Sequence, residues 1–327
     1  MRSVVFLVLL ASVIAVDPRC GNNEVLVPRN GESFWCLSET VLQQFQQLER
    51  SRRFDAESNT RFFLWTQQTK PGDREELPLN DVDALKRSSF DPASPTRILI
   101  HGWLNDWTAE VVRGLSETYV TRGAYNVIGV DWSAGASAIV YLTARMRVGA
   151  VADAIAIQIR MLLEAGQHPS QIVLIGHSLG AHIAGLTGKH FQTGPKLAGI
   201  VALDPAGPLF SVDAPSERVD AADAQYVEVI HTDGGLLGLR SALGQADFFP
   251  NGGRSQPGCL TDICNHQRAV EYYRRSVASS KPLYVARRCD TDQVNDNCDG
   301  VPAVMGSDLN DRYKVKTSGL FYLAIGK

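Results

Sequence analysis

The chain has 327 residues, with 32 lysines and arginines against 35 acidic side chains and a formal net charge of −3. A net charge this close to zero does not favour nucleic-acid binding, and the basic cluster ERSRR at 49–53 is typical of a solvated helix end. The length is sufficient for one large α/β domain with a substantial core.

The first fifteen residues, MRSVVFLVLLASVIA, predict a secretory signal peptide. One early arginine precedes an apolar stretch, and small residues lie at the end, so cleavage is expected after Ala15. The stretch is too short to cross a bilayer, and no other run approaches that length. We therefore expect a secreted, extracellular protein without a transmembrane segment, in which residues 16–327 form a single domain.

All six cysteines follow the predicted cleavage site, and an even number in an exported protein indicates disulfides. Six cysteines allow fifteen pairings, which the sequence alone does not distinguish. Proximity favours Cys20–Cys36, Cys259–Cys264 and Cys289–Cys298. The spacing lacks the form of a metal site.

From Thr96 onward, predicted strands alternate with predicted helices. Strands are predicted over RILIH (97–101), NVIGVDW (126–132), QIVLI (171–175), AGIVAL (198–203) and QYVEVIH (225–231), with helices over 108–120, 148–166 and after Ser178. Two further strands, YKVK (313–316) and GLFYLAI (319–325), are predicted near the end. This alternation predicts a mostly parallel sheet with helices on both faces and functional groups at the carboxyl ends of its strands.

Residues 176–180, GHSLG, fit the pattern G-x-S-x-G. They follow a short β-branched strand and precede a helix rich in small residues, which is the context of a nucleophile elbow. The flanking glycines allow strand and helix backbones to approach closely. Ser178 is therefore the predicted nucleophile.

A serine nucleophile needs a histidine base and a carboxylate that orients it, in the chain order Ser, acid, His for α/β-hydrolases. His182 and His190 lie on the helix after Ser178 with no acid between, so both are interpreted as structural. His231 and His266 remain as alternatives for the base.

Two strand-end aspartates compete for the acid, Asp204 and Asp233, and the pattern favours Asp204 because it ends the next strand after the elbow helix. For the oxyanion hole, the candidates are the backbone N–H groups of Leu179 and of Trp103, in the turn HGW. An ordinary turn with a packing tryptophan is the alternative for HGW.

Taken together, RILIHGW, NVIGVDWSAGA, QIVLIGHSLGAHIAG, ALDPAGPLF, YVEVIHTDGG, ADFFPNGG, QPGC and CNHQRAVEYY resemble the pancreatic lipase family in order and spacing. The resemblance implies an α/β-hydrolase fold with Ser178 as nucleophile, Asp204 as acid and His266 as base. It also implies Trp103 and Leu179 as oxyanion-hole residues.

The sequence departs from the family pattern in two places. Full-length lipases of the family carry a C-terminal β-sandwich domain, which we do not expect here because the chain ends at Lys327. Those lipases also have a lid of some twenty residues. At the matching position this sequence has only the four residues between Cys259 and Cys264, a tether too small to cover an acyl groove.

The resemblance further implies a lipid-ester hydrolase, and short-lidded members resemble phospholipases A1 or broad esterases. A triacylglycerol or galactolipid lipase is the alternative. A yolk-type relative that binds lipid without cleaving it is the alternative of another class. No cofactor is expected for the chemistry, and no protein partner is predicted.

A structural calcium site is also implied, with Asp220 and Asp223 as carboxylate ligands and the carbonyls of Pro215 and Arg218 as further donors.

Overall fold

An eleven-stranded sheet runs through the protein, which we describe from a computed structural model. The structure describes residues 20–21, 23–29, 33–51, 54–70, 72–138 and 140–326. The predicted signal peptide lies outside the described residues.

The strands are β1 (Glu24–Pro28), β2 (Phe34–Ser38), β3 (Arg61–Trp65), β4 (Glu75–Glu76), β5 (Thr96–Ile100), β6 (Asn126–Asp131), β7 (Ile172–His177), β8 (Gly199–Leu203), β9 (Val227–Ile230), β10 (Ala246–Pro250), β11 (Val285–Cys289), β12 (Pro302–Val304) and β13 (Gly319–Leu323). The helices are α1 (Glu39–Ser51), α2 (Ala56–Asn59), α3 (Val82–Arg87), α4 (Arg113–Arg122), α5 (Ser133–Ala136), α6 (Tyr141–Glu164), α7 (Leu179–Lys189) and α8 (Asp262–Ala278). Short 3₁₀ turns lie at Pro169–Gln171, Pro215–Glu217 and Ala221–Asp223.

The sheet order is β12-β11-β13-β10-β9-β8-β7-β5-β6-β3-β4. All neighbours from β13 to β6 pair in parallel, and the outer strands on both sides pair antiparallel. The prediction of a mostly parallel sheet is therefore confirmed, and the architecture is the α/β-hydrolase fold. A separate antiparallel pair, β1 and β2, lies outside this sheet.

Alternate residues of the central strands contribute to two separate cores, one on each face. Within β5, Ile98 and Ile100 join the core that contains α6 and α7, whereas Leu99 joins the core that contains α4 and α8. Because both faces are covered, the central strands are apolar almost throughout, as parallel strands buried on both sides usually are. This is why their sequences read as short continuous apolar runs.

Three predicted elements differ from the structure. Helix α6 begins at Tyr141, seven residues before the predicted start. Helix α4 begins at Arg113 rather than 108, because Asp106 accepts hydrogen bonds from the Thr108 backbone and hydroxyl and holds the chain in turns. The predicted strand YKVK is wrong, since Lys314 turns into the interior to pair with Glu228 at 2.5 Å.

Three disulfides close short loops, and they are the pairs favoured by proximity: Cys20–Cys36, Cys259–Cys264 and Cys289–Cys298. In the part of the chain that the structure describes, no helix combines the length and apolarity needed to cross a membrane.

Candidate active site

The chain makes a strained turn at Ser178, between the end of β7 and the start of α7. Ser178 has φ 60° and ψ −123°, a conformation that side-chain-bearing residues rarely adopt. A Cβ at Gly176 would lie 2.1 Å from the Gly180 carbonyl oxygen, and one at Gly180 would lie 2.3 Å from the Ile100 carbonyl oxygen. Both glycines are therefore required by the close approach of α7 to β7 and β5.

The Ser178 side chain lies against the loop that follows β5. A Cβ at Gly102 would be 2.8 Å from Ser178 Cβ and 3.3 Å from its Oγ. The Ser178 N–H donates to the Leu203 carbonyl at 3.0 Å, which attaches the turn to β8. Among the described residues, Ser178 Oγ has no hydrogen-bond partner, so the hydroxyl is available for a bound molecule.

Asp204, which directly follows β8, pairs with His266. The distance from His266 Nδ1 to Asp204 Oδ2 is 2.6 Å, and both side chains are buried. Asp204 Oδ1 accepts the N–H groups of Thr232 (2.7 Å) and Asp233 (3.1 Å), so both carboxylate oxygens have hydrogen-bond partners. Gly238 packs on the other side, where a Cβ would lie 2.5 Å from the carboxylate.

His266 is held one turn into α8 by contacts at its backbone. The Thr261 hydroxyl caps the helix by accepting the Cys264 N–H at 3.2 Å, and the Cys259–Cys264 disulfide closes the loop before it. His177 Nε2–H donates to the His266 carbonyl at 3.0 Å, with the two rings 4.4 Å apart. Burial, and then the neighbouring His266, hold the pKa of His177 well below its usual range, so His177 stays neutral.

Asp233 is a second buried carboxylate beside this pair. Burial, assisted by the charge of Asp204, raises the pKa of Asp233 to about 8, so it is mostly protonated at neutral pH. Its Oδ2 accepts the Leu237 N–H at 3.0 Å. Ligand atoms of Asp204, Asp233 and His266 lie within 4.8 Å of one another, and both Asp204 oxygens already accept hydrogen bonds, from the two backbone N–H groups and from His266.

The other candidate histidines have structural partners, on both ring nitrogens for His182 and His231 and on Nε2 for His190. His182 Nε2–H donates to the Ala206 carbonyl at 2.8 Å and its Nδ1 accepts the Val219 N–H, while burial lowers its pKa to about 3. His231 contacts the Leu239 carbonyl and Asp247. His190 lies near the surface and contacts Asp153 at 2.9 Å.

Two backbone N–H groups next to Ser178 are free to bind an oxyanion. Within the described residues, the N–H groups of Trp103 and Leu179 have no hydrogen-bond acceptor. The Trp103 loop is held in place because the indole N–H donates to the Ala138 carbonyl at 2.7 Å and the ring packs edge-on against Tyr141. The Leu104 N–H donates to the Ala136 carbonyl.

The contributions of His177, Gly102 and Gly238 were not predicted from the sequence. His177 lies directly before the predicted nucleophile and Gly102 lies in the turn HGW, but neither motif indicates the contact that the residue makes. The two glycines leave space for the side chains of Ser178 and Asp204. This role depends on which atoms pack against each glycine in the folded protein.

Asp220 and Asp223, the predicted calcium ligands, lie together around the 3₁₀ turn Ala221–Asp223, which packs on α7 at Gly188. The Asp223 carboxylate contacts the Lys189 ammonium at 2.5 Å.

Comparison with known proteins places these features in one family. The family model described as Lipase matches residues 36–327. Lipase member H of Rattus norvegicus is 36% identical over 255 residues, 73% of this chain and 54% of that protein. Phospholipase A1 member A of Pongo abelii is 39% identical (61% of this chain, 45% of that protein), and pancreatic triacylglycerol lipase of Mus musculus is 32% identical (83% and 64%).

The chain thus spans about half the length of the first of these curated relatives. The family model covers nearly all of the described residues, including Ser178, Asp204 and His266. The protein therefore belongs to the Lipase family.

Proposed function

We propose that the protein is a serine hydrolase of lipid carboxylic esters that works through an acyl-enzyme on Ser178. The observation that carries this proposal is the cluster at the strand ends: a strained serine, a buried His266–Asp204 pair and two free N–H groups. A yolk-type binding protein would not need a histidine–carboxylate pair beside a serine hydroxyl.

In the first half of the reaction, Ser178 Oγ attacks the ester carbonyl carbon and His266 Nε2 accepts the hydroxyl proton. Asp204 keeps the Nδ1 proton of His266 and stabilises the imidazolium that forms. The Trp103 and Leu179 N–H groups bind the oxyanion of the tetrahedral intermediate. Its collapse breaks the bond to the alcohol oxygen, which takes the proton from His266 and leaves.

In the second half, water attacks the acyl carbon of the ester on Ser178. His266 Nε2 now accepts a proton from that water, and the same two N–H groups bind the second oxyanion. When this intermediate collapses, the fatty acid leaves and Ser178 Oγ recovers its proton. The chemistry needs no metal or organic cofactor.

We favour the sn-1 ester of phospholipids as the substrate. Leu260 to Ile263, the four residues between Cys259 and Cys264, form the segment that precedes His266, and the Leu260 side chain is 100% exposed. So short a segment is not expected to cover a groove above Ser178, and no gate would have to open at a lipid surface. One relative is named a phospholipase A1. Another is named a triacylglycerol lipase, so triglyceride cleavage is the competing substrate.

We also propose that the protein is secreted. The apolar leader, three disulfides among the described cysteines and the absence of a membrane-spanning helix among the described residues fit an extracellular protein.

The experiment that tests the function compares two substrates with purified protein. One is phosphatidylcholine labelled differently at its two acyl chains, and the other is a long-chain triglyceride. We expect faster release from the sn-1 position of the phospholipid than from the triglyceride. The reverse order would indicate a triglyceride lipase, and lipid binding without release from either would support the storage-protein alternative.

Gly102→Ala is expected to lower kcat/KM at least about 100-fold, because the added methyl would overlap Ser178 Cβ and displace the nucleophile or the Trp103 N–H. Steady-state kinetics on a soluble short-chain ester measure the effect. Gly149→Ala is the matched control, since its Cβ would meet no atom within 4 Å. Equal rates for the two variants would contradict the assignment of this loop to the oxyanion hole.

A further inference from the structure

Residues 211–223 form an oxygen-rich segment that packs directly on α7. A Cβ at Gly185 would lie 2.3 Å from Val219 Cα, and one at Gly188 would lie 2.3 Å from the Asp223 carbonyl oxygen. Helix α7, which begins directly after Ser178, therefore packs closely against this segment. An unpaired buried charge in the segment would destabilise the packing of the segment against α7.

Asp223 brings a carboxylate into this contact, and its side chain is fully buried. Oδ1 receives the Lys189 ammonium at 2.5 Å and the Gln192 amide at 3.2 Å, while Oδ2 accepts the Asp220 N–H at 2.8 Å. A buried carboxylate of this kind stays ionised at neutral pH only with a cation beside it.

Two further cations of the chain bind the remaining oxygens. Lys196 Nζ donates to the Ala222 carbonyl at 2.7 Å. The Arg218 guanidinium donates to Asp220 Oδ2 at 3.2 Å and to three backbone carbonyls, those of Ser211, Val212 and Val219. Asp220 Oδ1 accepts the Ala222 N–H at 3.1 Å.

This arrangement does not fit the calcium site that the resemblance implied. Calcium takes six to eight oxygen ligands, but both oxygens of Asp220 and both of Asp223 already have donors. The Lys189 ammonium already contacts Asp223 and the Arg218 guanidinium already contacts Asp220, so each of the two carboxylates has a cationic partner before any metal is added. Calcium binding would require Lys189 to leave a buried carboxylate.

We propose that the Lys189 ammonium takes the place of a calcium ion in this chain, so that the segment under α7 is neutralised from within and the fold is independent of calcium. This inference does not rest on the proposed hydrolase activity. Lys189 also lies in the last turn of α7, where a positive charge favours any helix. Two effects of Lys189 must therefore be distinguished: its specific pairing with the Asp223 carboxylate, and the general effect of a positive charge at the end of a helix.

The experiment measures thermal unfolding of four proteins: wild type, Lys189→Met, Lys189→Arg and Lys86→Met. Lys86 is the control because it is an exposed lysine in the last turn of α3, with its nearest carboxylate 4.0 Å away. Each protein is melted in excess EGTA and in millimolar calcium chloride. Calorimetric titration of EGTA-treated wild type with calcium chloride gives a second readout that does not depend on activity.

We expect the same wild-type Tm in both conditions and no stoichiometric calcium binding. Lys189→Met should lower Tm in EGTA by about 3–6 °C, and calcium should restore part of that loss because Asp223 becomes accessible. Lys189→Arg should keep most of the stability, and Lys86→Met should change little.

Three results would overturn the proposal. The first is one-to-one calcium binding by wild type, with a rise in its Tm. The second is a Tm of the Lys189→Met variant in EGTA that equals the Tm of wild type. The third is an equal loss in Lys189→Met and Lys86→Met without any response to calcium, which would leave only a helix-end effect.

Discussion

Ser178→Ala is expected to lower kcat for ester hydrolysis about 10⁵–10⁶-fold while leaving the fold intact. Without Oγ there is no atom to form the acyl-enzyme, and only binding and the oxyanion N–H groups remain to accelerate attack by water. Alanine keeps a Cβ at the φ of 60°, so the backbone strain of the turn is unchanged. Because Oγ has no hydrogen-bond partner among the described residues, its loss should cost little stability.

Circular dichroism and Tm check the fold of this variant, and single-turnover assays with a chromogenic ester check the rate. A wild-type burst of product followed by a slower steady state would report the acyl-enzyme directly. Retention of more than about one per cent of wild-type kcat by a correctly folded Ser178→Ala protein would contradict the assignment of the nucleophile.

Asp204→Asn is expected to reduce kcat about 10⁴-fold. An asparagine can accept the Thr232 and Asp233 N–H groups through its oxygen, but it then presents an amide to His266 and favours the wrong tautomer of the imidazole. Asp233→Asn is the matched control, because it makes the same chemical change at a neighbouring buried carboxylate. Asp233, with its pKa raised to about 8, is mostly neutral at pH 7, and asparagine resembles that neutral form.

At pH 7, Asp233→Asn should stay within about tenfold of wild type, a small effect beside the loss expected for Asp204→Asn. Above pH 8 wild type gains a second negative charge beside the pair and the Asp233→Asn variant does not. The pH–rate profiles of the two proteins should therefore diverge on the alkaline side. If Asp233→Asn were instead the more damaging change at pH 7, Asp233 would be the acid that orients His266.

Strands β5 to β9 were predicted within two residues at each end because they are buried on both faces and read as continuous apolar runs, whereas β10 was not predicted. The prediction was wrong at YKVK, where alternation of polar and apolar residues favoured a strand. That pattern could not reveal that Lys314 turns inward to Glu228, which lies 86 residues earlier in the chain. The start of α4 depends likewise on a local competition, in which Asp106 bonds to the backbone two residues later.

The residues of the candidate site that lie in recognisable sequence motifs were predicted. Ser178 carries its own local signal in the flanking glycines. Asp204 came from its strand-end position and the resemblance, and the choice of His266 over His231 came from the resemblance. The roles of His177 and Gly102 were not accessible, because each follows from a contact across space, with the His266 carbonyl or with Ser178 Cβ. The calcium interpretation rested on two aspartates three residues apart, and the spacing gives no information about the lysine that approaches one of them.

The disulfide before His266 makes the segment it encloses a modular insertion site. The Cα atoms of Cys259 and Cys264 are 5.4 Å apart, and the covalent link holds them there whatever the length of chain between them. Closing a longer loop adds little entropic cost, and the Thr261 cap is the contact that a graft would have to replace. Evolution or engineering can therefore exchange this segment for a longer cover over the proposed site, while the His266–Asp204 pair stays as it is.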